Sequence, residues 1–496
     1  MTPSRVLTSL WLSALLSLSC SNPNHLGNAE DNLIIQTTQP TSFQAAPEVS
    51  LTSQEALEVL TGATTRVAWI RDLGDGTDIL GFGNQVVVMG FDSSDTFGER
   101  LLVAEPGSYA KPLITPTGDR VVYMDRSNNS IHIVSWNGAP PTRLMEGFPL
   151  AVWSDPNTKL EWLYVGKDPR GTDPESYGSI YRHPLDKPQQ FELVWNKRAV
   201  NGDNFQLSRD GRLAGALARW PAAGILELPN GDWRQLGEGC WTSLASDDSH
   251  LFWYFDGQHR NLTIIDTKAK EDRRWTVNIN TAPGIDGFEV YHPRWTNHPR
   301  FFAMTGPYTV GNANNKIRGG GNNVEIHLGR FSADYRSVES WTQVTTNNAA
   351  DFYPDVWIAP NALIPESTDV RNFPTETTAL NPEPLTVDVR VNTDVLTPEP
   401  EDIAPYRNGL LILEYEVIDI IEGHYNESTL LAAHWIIRDA LAIEGSERQI
   451  NTIMRLSLEP YAAHPELEGE RVIMDSDRYD LPIFYDVDSA SSGVDP

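Results

Sequence analysis

The feature that most constrains this chain is a repeat between Thr64 and about Pro360. Each unit opens with an apolar strand, then a polar turn, then a second apolar strand. The turn regions read ITPTGDRVVYM (114–124), SDPNTKLEWLYV (154–165), LSRDGRLAGAL (207–217), LASDDSHLFWYF (244–255) and WTNHPRFFAM (295–304). A third strand follows, as in SIHIVSW (130–136), GSIYRHPL (178–185) and LTIID (262–266), then a fourth, as in TRLME (142–146), FELVW (191–195) and RRWTV (273–277). Four short antiparallel strands recurring every ~40–50 residues are the mark of propeller blades.

Counting the units tests the idea. Five complete blades fit between Lys111 and Thr345, while RVAWIRD, QVVVMGF and ERLLVA before them supply only three strands. The missing innermost strand is FYPDVWI (352–358), which repeats the aromatic-before-proline opening of YAKPLIT (109–115) and VYHPRWT (290–296). The expectation is an all-β chain: a six-bladed propeller over 61–360, closed by pairing its last strand with its first three. Closure removes the open sheet edge that would otherwise template aggregation.

These openings and turns resemble those of the TolB-type periplasmic propellers over about 300 residues. The resemblance implies the fold, and a protein that binds partners without chemistry. A proline- and threonine-rich stretch, 361–384, reads as a linker. A small β domain over 385–488 follows, with strand-like runs LTVDVRVNTDVL (385–396), LLILEYEVIDIIEG (410–423), TLLAAHWIIRD (429–439) and TIMRLSLEPY (452–461). The piece YEVIDIIEG resembles OB-type barrels of the netrin family, and a generic barrel or sandwich fits equally. Residues 489–496 read as a disordered acidic tail.

The N-terminus points to export. Arg5 precedes an apolar stretch, Val6 to Ser19, that is too short to span a bilayer and suits a signal peptide over 1–20 ending at Cys20. Small residues before a cysteine resemble the bacterial lipoprotein box, although Ser17 stands where a large aliphatic residue is usual. Lipidation of Cys20 is the expectation, and an ordinary cleavage nearby is the alternative. Residues 21–60 then form a polar tether, ending in a short helix from Ser53 to Thr61. These readings place the protein on the outer-membrane or periplasmic side of the envelope, held by its lipid. The second cysteine, Cys240, lies in a strand-like run and reads as a buried small hydrophobe. With 67 acidic against 38 basic residues and a net charge of -29, the surface repels phosphate backbones, so nucleic acid is not an expected partner.

No G-x-S-x-G elbow, H-E-x-x-H helix, Walker loop or haem motif occurs, and no cofactor or metal is expected. The acids of Asp72-Leu-Gly-Asp75-Gly-Thr-Asp78 fall at one, four and seven, not at the spacing of a calcium loop, so a polar loop is the better reading. Propeller geometry offers more. Innermost strand starts share a face with the loops between second and third strands. The starts contribute Lys111, Asp203, Asn204, Trp241, His292, Arg294, Tyr353 and Asp355, and the loops contribute Asp256, His259, Arg260 and Asn261. To these the glycine-rich GNANNKIRGGGNN (311–323) adds Lys316 and Arg318, which could form an anion-binding nest or simply a surface loop. For His292 and His298 structural hydrogen bonding is preferred to metal ligation. Trp241, Trp253, Trp295 and Trp357 could stack on sugars but fit packing between blades, and His434 and His464 read as core.

Two functions compete. The first is a non-enzymatic envelope scaffold whose propeller face captures a glycan, cell-wall fragment or protein. The second is a lyase acting on acidic polysaccharide through His259, His292 and Arg294.

Overall fold

The computed structural model describes residues 53–490 apart from 75–82, 171–175, 270–272, 309–322, 361, 363–383, 393–396, 405, 475, 477, 479 and 480. The signal peptide, Cys20, most of the tether, nearly all of the linker, Lys316, Arg318 and the last six residues lie outside them. No helix among the described residues is long and apolar enough to cross a membrane.

Six four-stranded blades surround one axis, the third carrying a short extra strand. Blade 1 is built from Ala350–Ile358, Thr65–Asp72, Val86–Asp92 and Arg100–Gly107, innermost first. The expected closure is therefore present: the C-terminal strand pairs antiparallel with the first, Thr65 opposite Ile358 and Asp72 opposite Ala350. The innermost strands of blades 2 to 6 are Tyr109–Ile114, Phe148–Ser154, Gln206–Leu207, Cys240–Leu244 and Glu289–Trp295. Middle strands such as Val86–Asp92 and Leu251–Phe255 are buried throughout. They are apolar on both faces because a neighbouring blade covers each side. Outer strands such as Arg273–Asn278 alternate, burying Trp275 and Val277 and exposing the residues between.

Tryptophans staple blade to blade. The Trp357 indole donates to the Pro116 carbonyl in the next blade's turn at 2.9 Å. That turn carries Gly118 at φ +79, where a Cβ would meet the Trp357 ring at 2.7 Å, so only glycine fits both the angle and the approach. Trp253 and Trp295 stack at 3.9 Å and are fully buried. The helix Ser53–Thr61 buries Leu57 and Leu60 against Phe301, Ile326 and Leu328 of blade 6.

The C-terminal region is a closed five-stranded barrel. Leu385–Val391 pairs with Gly409–Glu422, which pairs with Thr429–Arg438. That strand pairs in parallel with Ile483–Asp486, which returns through Ile453–Pro460 to the first. The open alternative, barrel or sandwich, is thereby decided. Three strands went unread in the sequence: Leu441–Ala442, of two residues, and Arg471–Met474 and Ile483–Asp486, of four each. His434 is buried as expected. His464 is not core: it lies half-buried between Glu459 at 2.9 Å and Glu466 at 2.8 Å, on the barrel surface side of Tyr485.

Candidate functional site: the axial channel and its two ends

The innermost strands share a local device. Lys111, Trp241, His292 and Tyr353 all adopt left-handed backbone, with φ of 47°, 42°, 53° and 53°. Each sits where the pairing of its strand with the next slips, so a bulge interrupts the ladder at the same level in blades 2, 5, 6 and 1. A left-handed non-glycine residue costs of order 1–3 kcal/mol, so the surroundings must hold it. All four side chains line one constriction, together with Asp203, Asn204 and Arg294.

The constriction encloses about 20 Å³, room for about one water. Its side chains are tied to one another and to the wall. The Lys111 ammonium donates to the Gly202 carbonyl. The Tyr353 hydroxyl donates to Asp203 at 3.1 Å. His292 meets the Thr305 hydroxyl through Nδ1 at 2.9 Å, and its ring contacts those of Trp241 and Tyr353, each 4.6 Å away. The Arg294 guanidinium donates to Asp355 at 2.9 Å, whose other oxygen accepts from the Ile114 amide at 2.7 Å. All eight strand-start residues named from sequence thus gather around the axis, contributed by five of the six blades.

The loop residues lie elsewhere. The barrel seats on the propeller face that carries the strand starts, over blades 4, 5 and 6, and the loop at 256–260 is pressed into it. The Val472 amide donates to the Gly257 carbonyl, and the Gly257 amide to the Glu468 carbonyl, both at 3.0 Å. A Cβ at Gly257 would fall 1.6 Å from the Glu470 carbonyl oxygen, so no other residue tolerates this approach. Within the seam Arg471 donates to Glu289 at 2.6 Å, with the two side chains 0% and 1% exposed. His259 stands 3.4 Å from Glu289 and shares a 2.9 Å hydrogen bond with the Tyr406 hydroxyl, which in turn donates to the Cys240 thiol at 3.4 Å.

Burial governs the protonation states. Burial pushes the Cys240 thiol up to about 12, so it stays a thiol, in keeping with its expected inert role. It pushes His259 down to about 4, against the pull of Glu289. It pushes Asp256 up to about 6, against hydrogen bonds from Asn261 and Arg260. For Glu289 burial also favours the neutral acid, but the Arg471 charge outweighs it and holds the carboxyl below its usual range. Asp256 and His259, named from sequence with the channel, therefore belong to the seam between propeller and barrel, 8% and 1% exposed.

The opposite end of the channel is open. A cavity of about 220 Å³ is lined by the strand ends and the turns after them, among them Trp153, Ser154, Gln206, Arg209, Asn297 and Trp357. Arg294 and Asp355 form its floor, and Arg294 borders the constriction as well. Apart from Arg294, Asp355 and Trp357, which was weighed for sugar stacking, these residues were missed in the sequence. They belong to the serine- and aspartate-rich turns, where the same side chains are needed for turn hydrogen bonds, as when Ser208 donates to Asp210 at 2.7 Å.

Fold and site together define a six-bladed β-propeller whose axial channel is constricted toward the face on which a small barrel docks and open at the other. No family model matches the chain, and no curated protein matches it. Among solved structures it is similar to TolB from Acinetobacter baumannii, at 12% identity and a TM-score of 0.37, over 61% of this chain and 70% of that one. A chain of a nidogen/laminin complex aligns at 10% identity and a TM-score of 0.38, over 59% and 98%. Likenesses at this level carry no argument about function, and the blade count rests on the strand pairings themselves.

Proposed function

We propose that the protein is a non-enzymatic binding scaffold of the cell envelope, tethered by a lipid on Cys20, which captures a protein partner at the open end of its axial channel. The carrying observation is the asymmetry of the channel. One end, on the face where the barrel docks, is constricted to about 20 Å³, and the other opens as a tryptophan-flanked cavity of about 220 Å³. A concave site with a few convergent polar groups at the end of a rigid scaffold is a favourable place for a partner's loop. Arg294 and Asp355 at its floor can exchange their mutual ion pair for contacts with an inserted side chain. Lys111, Asp203, Asn204, Trp241, His292 and Tyr353 support that floor from behind. The fixed partners of these channel side chains favour recognition over proton transfer. The lyase reading is further weakened because His259, one of its three candidate residues, is pinned in the seam.

A photo-crosslinking residue placed at Ser154 or Asn297 of the full-length protein in intact cells tests the proposal. The expected result is one discrete adduct with an envelope protein, lost in an Arg294→Ala background and absent with the crosslinker at the outlying Asp232. Equal labelling from Asp232 sinks the reading. So does release of unsaturated, ultraviolet-absorbing products from acidic polysaccharides by the purified protein.

A further inference from the structure

Blades 2 and 3 together line a second concavity that shares no residue with the axial channel. Its volume is about 380 Å³, and its lining comes from Asn129, Glu146 and Gly147 of blade 2 and Lys167, Asp168 and Tyr177 of blade 3. That volume suits a small-molecule ligand. Two of the lining residues, Asn129 at φ 52° and Asp168 at φ 58°, hold left-handed backbone without being glycine. Asp168 is further fixed by the Ser179 hydroxyl, which donates to one carboxylate oxygen. The carboxylate retains acceptor capacity for further donors.

An aromatic platform is joined to this cavity through Lys167. Phe191 is 61% exposed, and its ring packs edge-on to Tyr181 at 5.7 Å. Leu193, on the strand Glu192–Trp195, pairs with Tyr181 and is 38% exposed. Lys167 joins the two halves: it lines the cavity, and its ammonium lies 5.4 Å from the Tyr181 ring centre and 5.9 Å from that of Phe191. An exposed phenylalanine beside fixed hydroxyl-accepting groups is the combination a sugar ring needs, with an apolar face to stack and hydroxyls to donate.

We infer that this inter-blade groove is a carbohydrate-binding site that takes a neutral pyranose unit of an oligosaccharide. Charge selects the neutral class. Of the charged lining residues, Glu146 is paired with Arg143 at 3.2 Å and the Lys167 ammonium is engaged with rings, so a uronate finds no unengaged cation among the lining residues and meets the Asp168 carboxylate, whereas sugar hydroxyls find acceptors. The site is separate from the axial mouth and does not depend on it.

The test uses saturation-transfer NMR and titration calorimetry of the full-length protein with maltose, cellobiose and chitobiose, their longer oligomers, and oligogalacturonate. At least one neutral oligomer is expected to bind. Its affinity should fall by about tenfold or more in both Phe191→Ala and Asp168→Asn. Both positions are exposed, so thermal midpoints should hold, and Arg209→Ala at the axial mouth should bind as the unaltered protein does. The inference is overturned if no neutral oligomer binds, if binding survives Phe191→Ala, if oligogalacturonate is preferred, or if Arg209→Ala removes the binding.

Discussion

The seam under the barrel and the mouth at the far end of the channel are built from the same material: charged and polar residues on loops and strand ends. At the seam Arg471 pairs with Glu289 and His259 with Tyr406, in a space from which solvent is excluded. At the mouth Arg209 stands 65% exposed, 3.9 Å from an equally exposed Asp248. A propeller offers two rims of loops, and here a second domain occupies part of one. Polar groups that have lost water must be paired, and their removal is costly; polar groups left in water are replaceable and can serve a partner. The two ends should therefore respond to substitution in opposite ways.

The largest effect is expected at the buried pair. Arg471→Met leaves the Glu289 carboxylate without its cation and should cost about 3–5 kcal/mol in denaturant unfolding. The double variant Arg471→Met with Glu289→Leu should recover most of that loss, because no charge is then stranded. A cost below about 1 kcal/mol for the single change would mean that water reaches the seam, and the contrast between the ends would fail.

A smaller effect comes from His259. Its folded pKa of about 4 lies below the ordinary 6.5, so between those values the unfolded chain takes up a proton that the folded protein refuses. Its contribution is whole above pH 6.5 and is lost as pH falls toward 4. Asp256 runs the other way: folded at about 6 against an ordinary 3.8, it disfavours folding as pH rises through that window. Comparing the unaltered protein with His259→Gln isolates the histidine. Over the fall from pH 6.5 to 4 the former should lose about 2 kcal/mol more than the variant. Parallel curves would show that His259 is solvated and the seam loose.

Much of this molecule is legible in its sequence, for identifiable reasons. Blades repeat, so one strand-turn-strand pattern is read several times over. Closure was visible because FYPDVWI copies the opening of complete blades. The strand starts could be placed around an axis for the same reason. What could not be read is the docking of the barrel. It depends on the turn at 256–260 meeting the stretch 468–474, more than 200 residues later, and no local pattern encodes that pairing. Strands of four residues, such as Arg471–Met474 beside acidic and glycine-rich neighbours, carry too little periodicity to be recognised. One clue was present: Glu289 opens a buried apolar strand, and a lone acid there requires a partner.

The smallest stability change is expected at the mouth. Arg209 contributes its backbone carbonyl to the fold, accepting the Trp153 indole N–H at 3.1 Å, while its exposed side chain meets Asp248 at 3.9 Å. A screened pair at that separation contributes little, so Arg209→Ala should shift the unfolding free energy by no more than about 0.5 kcal/mol. Removal of Arg471, the same residue type, should cost several times more, and the ratio measures how differently the two ends are built. A loss above about 1.5 kcal/mol for Arg209→Ala would give the mouth a structural role. A near-neutral result, together with a weakened crosslink from Ser154 or Asn297, would leave its guanidinium with a role in capture.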